Sequence, residues 1–220
     1  MSTSLQLVLS STWQTLVMVF FSSIFSTVIG LPVGIALSVT RKEQDGGIAT
    51  NTPINLVLGK IVNILLSFPF IILMILLIPL SRAIIGTGIG TAATIIPLSI
   101  AASPFVARVV ESSLSEVDSG VIQASKAMGS TDLQIIFKVM LPEALPSLIN
   151  GFTLTVINLI GYSAMAGALG GGGLGDLAIR YGYQRFRMDM MIESILVIII
   201  LVELVQLLGN FISRKISSSR

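Results

Sequence analysis

The side chains that most often carry chemistry are partly missing from this sequence, which has no Cys and no His. It cannot build a thiolate or imidazole metal site, a disulfide, or a Ser-His-Asp triad. Gly170-x-Gly172-x-x-Gly175 has the glycine spacing of a dinucleotide-binding turn, but such a turn needs a strand before it and a helix after it. An apolar run precedes it here, so a flexible outer turn is expected. The G-x4-G-K-[ST] pattern of a phosphate-cradling loop does not occur, so any ATP must be bound by a partner chain. Glu203 is the one acid well inside an apolar run, with Gln206 and Asn210 on the same helical face at i+3 and i+7. Intramembrane carboxylates are costly and can act as proton relays, which leaves open a self-contained ion- or proton-coupled carrier using Glu203. The favoured reading is a hydrogen-bonded packing role towards the inner interface, about three turns from Arg214. A membrane-embedded enzyme would need His, Cys or clustered carboxylates, and no catalytic residue is expected.

These residues must be positioned by apolar elements. Only 11% of the chain is charged, 53% is hydrophobic and the mean hydropathy is +0.94. Soluble domains carry about 25% charged residues, so a water-soluble monomer is excluded. No charge occurs before Arg41, between Lys60 and Arg82, between Arg82 and Arg108, or between Glu143 and Asp176. Such stretches approach or exceed the ~20 apolar residues that cross ~30 Å of hydrocarbon. The expected fold is all-α and polytopic, one domain over 1–220. Five transmembrane helices lie near 13–39, 56–80, 88–110, 147–168 and 191–212, because lipid leaves backbone groups no partners outside a helix or closed barrel. Trp13 is an interfacial anchor and Pro32 a kink, while Pro69 interrupts the second span. The start, Met1 to Gln14, lacks a positive leader region, so the first run is expected to be a retained span.

Orientation follows from the cations. With the N-terminus outside, Arg41, Lys42, Lys60, Arg108, Lys126, Lys138, Arg214, Lys215 and Arg220 lie inside, and Arg82, Arg180, Arg185 and Arg187 outside. The positive-inside rule therefore favours N-out and C-in. The net charge of +2 and the pI near 9.2 report loop topology rather than a nucleic-acid partner. Arg180, Arg185 and Arg187 oppose the rule, with Asp176, Asp189 and Glu193 nearby. That outer loop either contacts a delivery protein or is a solvated turn.

The long inner interval, 111–146, is polar enough to be solvated yet carries periodic apolar residues. Val121, Ala124 and Met128 form a helical stripe over 117–128, and Gly129 is placed as the residue just past a helix end. Thr131 with Gln134 forms a possible capping box opening a second short helix, with Asp132 near its positive end. Pro142 and Pro146 punctuate the return to the bilayer. Two short helices meeting at Gly129 present a knob to a partner or form a connecting hairpin.

Gln123-Ala124-Ser125, Gly129 and Val139-x-Leu141-Pro142 resemble the EAA loop of bacterial ABC importer permeases, E-A-A-x3-G-x9-I-x-L-P. Gln123 replaces the motif's Glu, Ser125 its second Ala, and Val139 its Ile. Further runs, Leu141 to Pro146, Gly161 to Gly167, Gly171 to Asp176 and Tyr181 to Phe186, resemble the methionine-import permeases. The resemblance implies a type I ABC importer permease fold in the bacterial inner membrane, with two cytoplasmic coupling helices that dock on a separate ATPase. The docking residues it implies are Gln123, Ala124, Ser125, Lys126, Met128, Gly129, Ser130, Thr131, Asp132, Leu141 and Pro142. It implies two ATPase copies holding ATP and Mg, a second copy of the chain, and an extracytoplasmic substrate-binding lipoprotein. No cofactor is implied on this chain. The small-residue run from Ser163 to Ala168, interrupted by Met165, reads either as close helix packing or as pathway lining. The family's architecture favours lining, with Tyr162, Ser163, Met165 and Ala166 as gate candidates.

Overall fold

The computed structural model describes residues 3–42 and 47–218, and among them all regular structure is helical. Arg220, counted above among the inner cations, lies outside the described residues. α1 runs over Thr3–Val39, α4 over Thr91–Ser115, α8 over Leu145–Gly167 and α10 over Met188–Ser217. These four are long and apolar enough to cross a bilayer, and each contains most of a predicted span. α1 begins ten residues before the expected start near Trp13, and α10 extends past Ser213 to take Arg214 and Lys215 into its last turn. Cations there complement the partial negative charge of a helix C-terminus.

The second predicted span is a bent pair. α2 covers Thr52–Ser67 and α3 covers Phe70–Ile85, each 16 residues, and the two are bent by 104° at the break. At ~1.5 Å per residue each helix is about 24 Å long, short of the ~30 Å hydrocarbon layer. Pro69 causes the break. It lacks an N–H, disfavours helical backbone at Phe68, and itself stands as the N-cap of α3 at φ −58°, ψ 130°. Pro32 does not break its helix, which continues through it, and α4 likewise runs through Pro97 and Pro104. Membrane helices tolerate proline where neighbours and local adjustment re-satisfy the freed carbonyls.

The chain forms two compact units. The first comprises residues up to Ser26, Phe68–Ser103 and Leu154–Leu207; its core holds Met18, Leu98, Leu159 and Ile160, all at most 3% exposed. The second comprises Thr27–Ser67, Pro104–Thr153 and the chain from Leu208 onward. Its core joins Val39 of α1, Val106, Val110 and Leu114 of α4, and Leu148 of α8 to residues of the inner interval. Gly34 lets α1 approach α4 closely within this unit, because a Cβ there would stand 2.5 Å from the Ala107 carbonyl oxygen.

Candidate docking corner and pathway residues

The inner interval folds as two short helices around a glycine corner. α5 spans Ser119–Ala127 and opens on Asp118, whose carboxylate accepts the Gly120 N–H at 2.6 Å. It ends in a two-bond cap: the Gly129 N–H donates to the Lys126 carbonyl at 2.9 Å and the Ser130 N–H to that of Ser125 at 3.1 Å. This geometry requires the left-handed φ of +82° that Gly129 adopts. Two residues on, Thr131 caps α6, Asp132–Ile135. Its hydroxyl oxygen accepts the Gln134 N–H at 3.4 Å while the Gln134 side chain accepts the Thr131 N–H at 3.0 Å, completing the capping box.

The return path is smoother than two punctuating prolines suggest. A π-helical turn, Ile136–Met140, follows α6 and leads into α7, Leu141–Glu143, then α8. Pro142 near the start of α7 and Pro146 near the start of α8 sit where a missing N–H costs little.

The stripe expected on α5 faces outward. Val121 and Ala124 are exposed and Met128 is 79% exposed, whereas Ile122 and Ser125 are buried. The Ser125 hydroxyl donates to the Val121 carbonyl at 2.9 Å, so the small polar side chain is satisfied inside its own helix. Gln123, Ala124, Lys126, Met128, Gly129, Thr131 and Asp132 therefore crown the corner, with Ser130 half-buried beside them. Leu141 and Pro142 are half-buried on the return, Leu141 against the core. Leu133, 67% exposed, and Phe137 extend the apolar surface and wall a groove of about 500 Å³ with Leu31, Ile35 and Val39 of α1. Exposed apolar patches of this kind mark interaction surfaces.

The corner is seated rather than tethered. Ile122, Ile135, Ile136 and Met140 enter the same core as Val110 and Leu114 of α4 and Leu148 of α8. Each such side chain contributes roughly 1.5–3 kcal/mol when fully buried. Next to this seat lies an ion-pair network that sequence reasoning missed. Glu111, 7% exposed, accepts from Arg41 at 2.8 Å and from Arg108. Arg108 also donates to Asn63 Oδ1 at 2.6 Å and to the Gly59 carbonyl at 3.3 Å. The signal was present: Glu111 follows Arg108 by three, at the edge of a predicted span.

The gate candidates separate into two kinds. Ser163 and Ala166, 2% and 0% exposed, are taken up by the chain's own packing, and the Ser163 hydroxyl donates to the Ile160 carbonyl at 2.7 Å. Tyr162 is half-buried and stacks on Phe70, with centroids 4.4 Å apart and planes at 5°, while Met165 is 46% exposed. The glycine-rich turn that follows is not the flexible loop expected. Gly170, Gly172 and Gly173 hold φ between +81° and +83°, and the turn is pinned to α1. The Gln14 side chain accepts the Gly173 N–H at 2.8 Å and the Thr15 hydroxyl accepts that of Leu174 at 2.9 Å.

Glu203 is exposed at the middle of α10 and has no ion-pair or hydrogen-bond partner among the described residues, so the hydrogen-bonded packing role within the chain is not observed. α9, Gly173–Leu177, and a π-helical turn, Ala178–Tyr183, lead through a short loop to α10; across them Arg180 pairs with Asp176 and Arg187 with Asp189, the latter at 2.6 Å. These carboxylates hold both guanidiniums above their ordinary range. Arg185 lies 4.5 Å from the Tyr181 ring centroid, a cation–π contact. Phe186, at φ +55° and 90% exposed, tops this loop.

A family model described as "Binding-protein-dependent transport system inner membrane component" matches residues 30–218. The probable D-methionine transport system permease protein MetI of Vibrio cholerae is 48% identical over 210 residues, 96% of this chain and 92% of that one. The D-methionine transport system permease protein MetI of Escherichia coli K12 is 52% identical over 161 residues, 73% of each chain. Among solved structures, a chain of the MetNI methionine ABC transporter in an inward-facing conformation is 47% identical. It superposes with a TM-score of 0.95, over 98% of this chain and 99% of that one. An amino acid ABC transporter solved with histidines shares the fold, with a TM-score of 0.74 at 20% identity. The chain belongs to the binding-protein-dependent transport system inner membrane components.

Proposed function

We propose that this chain is the permease subunit of an ATP-driven methionine importer. Two copies form the translocation pathway, each docked on a separate ATPase subunit and served outside by a substrate-binding protein. The observation that carries the reading is the corner at Gly129, a rigid turn between two capped helices that holds Met128, Lys126 and Asp132 outward on a buried seat. The full-length likeness to methionine permeases, at 47–48% identity, supports the substrate.

The mechanism is alternating access. Closure of the two ATPases on ATP, held with Mg in those partners, moves the corner, and its apolar seat passes the movement to the ends of α1, α4 and α8. The substrate is unchanged chemically; ATP and loaded binding protein shift a two-state equilibrium. Met165 and Tyr162 keep exposed surface on α8 and are proposed to line the path, whereas Ser163 and Ala166 shape it from behind. The termini are proposed to lie N-out and C-in, which places the corner on the ATP side.

Co-purification tests the docking claim. Gly129→Arg forces a bulky side chain into left-handed backbone at the crown of the corner and should abolish capture of the ATPase while membrane insertion persists. Undiminished capture with normal ATPase stimulation contradicts it.

A further inference from the structure

We propose that Glu111 is a transmission residue: it ties α4, the helix that leads into the docking corner, to the end of α1 and holds the α4 guanidinium of Arg108 that reaches α2, so that movement of the corner carries three helices together.

Its carboxylate is 7% exposed and shared by two guanidiniums from different elements, Arg41 just past α1 and Arg108 on α4. Arg108 extends the link to α2 through Asn63 Oδ1 at 2.6 Å and the Gly59 carbonyl at 3.3 Å. Buried ion pairs are poor sources of stability, because desolvation offsets the attraction and apolar replacements often do as well. What a rigid guanidinium fork adds is direction, since it fixes the register of the helices it joins. Apolar faces alone can slide by a fraction of a turn. The location fits transmission: Glu111 is flanked on α4 by Val110 and Leu114, both in the core that seats Ile122, Ile135 and Ile136 of the corner. A push on the corner thus reaches α4 through the core, reaches α1 through Glu111, and reaches α2 through Arg108, which Glu111 holds in place.

This rests on the permease reading above. The test uses the whole complex, this chain with its ATPase and binding protein, in sealed vesicles. ATP hydrolysis and methionine uptake are measured together. The Glu111→Gln complex should assemble with normal subunit composition and hydrolyse ATP near the wild-type rate, while uptake per ATP falls about tenfold, the scale of losing a hydrogen bond to a charged group. Arg41→Gln, which cuts only the α1 strut, should fall between. A Glu111→Gln complex with a lowered thermal midpoint but wild-type uptake per ATP overturns the proposal and makes the network purely structural. If Glu111→Gln does not assemble, Arg41→Lys, which keeps the charge and loses the fork, is judged by the same ratio. A wild-type complex with no ATP-driven uptake instead removes the permease reading itself.

Discussion

Gly129 and Thr131 carry the corner's geometry on two residues, and each can be perturbed alone. A Cβ at Gly129 would meet nothing within 4 Å, so Gly129→Ala tests backbone alone. Left-handed φ should cost about 1 kcal/mol, and ATPase affinity should weaken modestly, far less than for Gly129→Arg, in a pull-down titration. Thr131→Ala removes the cap and should cost about 1 kcal/mol of local stability, seen as faster amide exchange at Gln134 and Ile135. Unchanged exchange would show that packing alone holds α6. Both features were legible beforehand because a helix cap is written in consecutive residues. The pairing of Glu111 with Arg41 was not, nor that of Arg108 with Asn63, because these partners lie far apart in sequence and only the fold brings them together. Nor was the inward turn of Ser125, since a small residue fits either face of a helix.

Among the elements, hydropathy located the spans, and Pro69 marked the interruption of the second one, though not the size of its bend. A window average over 56–80 is insensitive to a single residue, whereas Pro69 acts through one missing N–H and one steric clash. Pro32, Pro97 and Pro104 have the same chemistry without a break, and the difference lies in neighbours that sequence order does not reveal. Periodicity found the stripe on α5 but could not assign its side: Val121 and Met128 face out because Ile122 already fills the seat. On this basis Met128→Asp should weaken ATPase capture without lowering the thermal midpoint, while Ile122→Asp should lower the midpoint; equal effects on both would contradict the assignment. On α10, a carboxylate at the centre of a span costs about 2.5–3.5 kcal/mol to insert. Glu203→Leu should therefore insert more readily and keep ATP-driven uptake. Lost uptake with intact assembly would mean that Glu203 takes part in transport.

At the scale of the whole molecule, scarce charge identified a membrane protein and its placement suggested a direction across the bilayer. Because the natural chain has no Cys, single substitutions can report sidedness directly. An impermeant maleimide should label Arg185→Cys in intact cells and Ser130→Cys only after permeabilisation; the opposite pattern would invert the topology. The energy source separates an ATP-coupled permease from a carrier driven through Glu203. The most direct measurement is labelled methionine uptake into sealed vesicles holding this chain with its ATPase and binding protein. Uptake is predicted to require ATP and binding protein together and to persist when the proton gradient is dissipated. Accumulation by vesicles containing this chain alone, driven by a proton gradient and abolished by Glu203→Gln, would contradict the account.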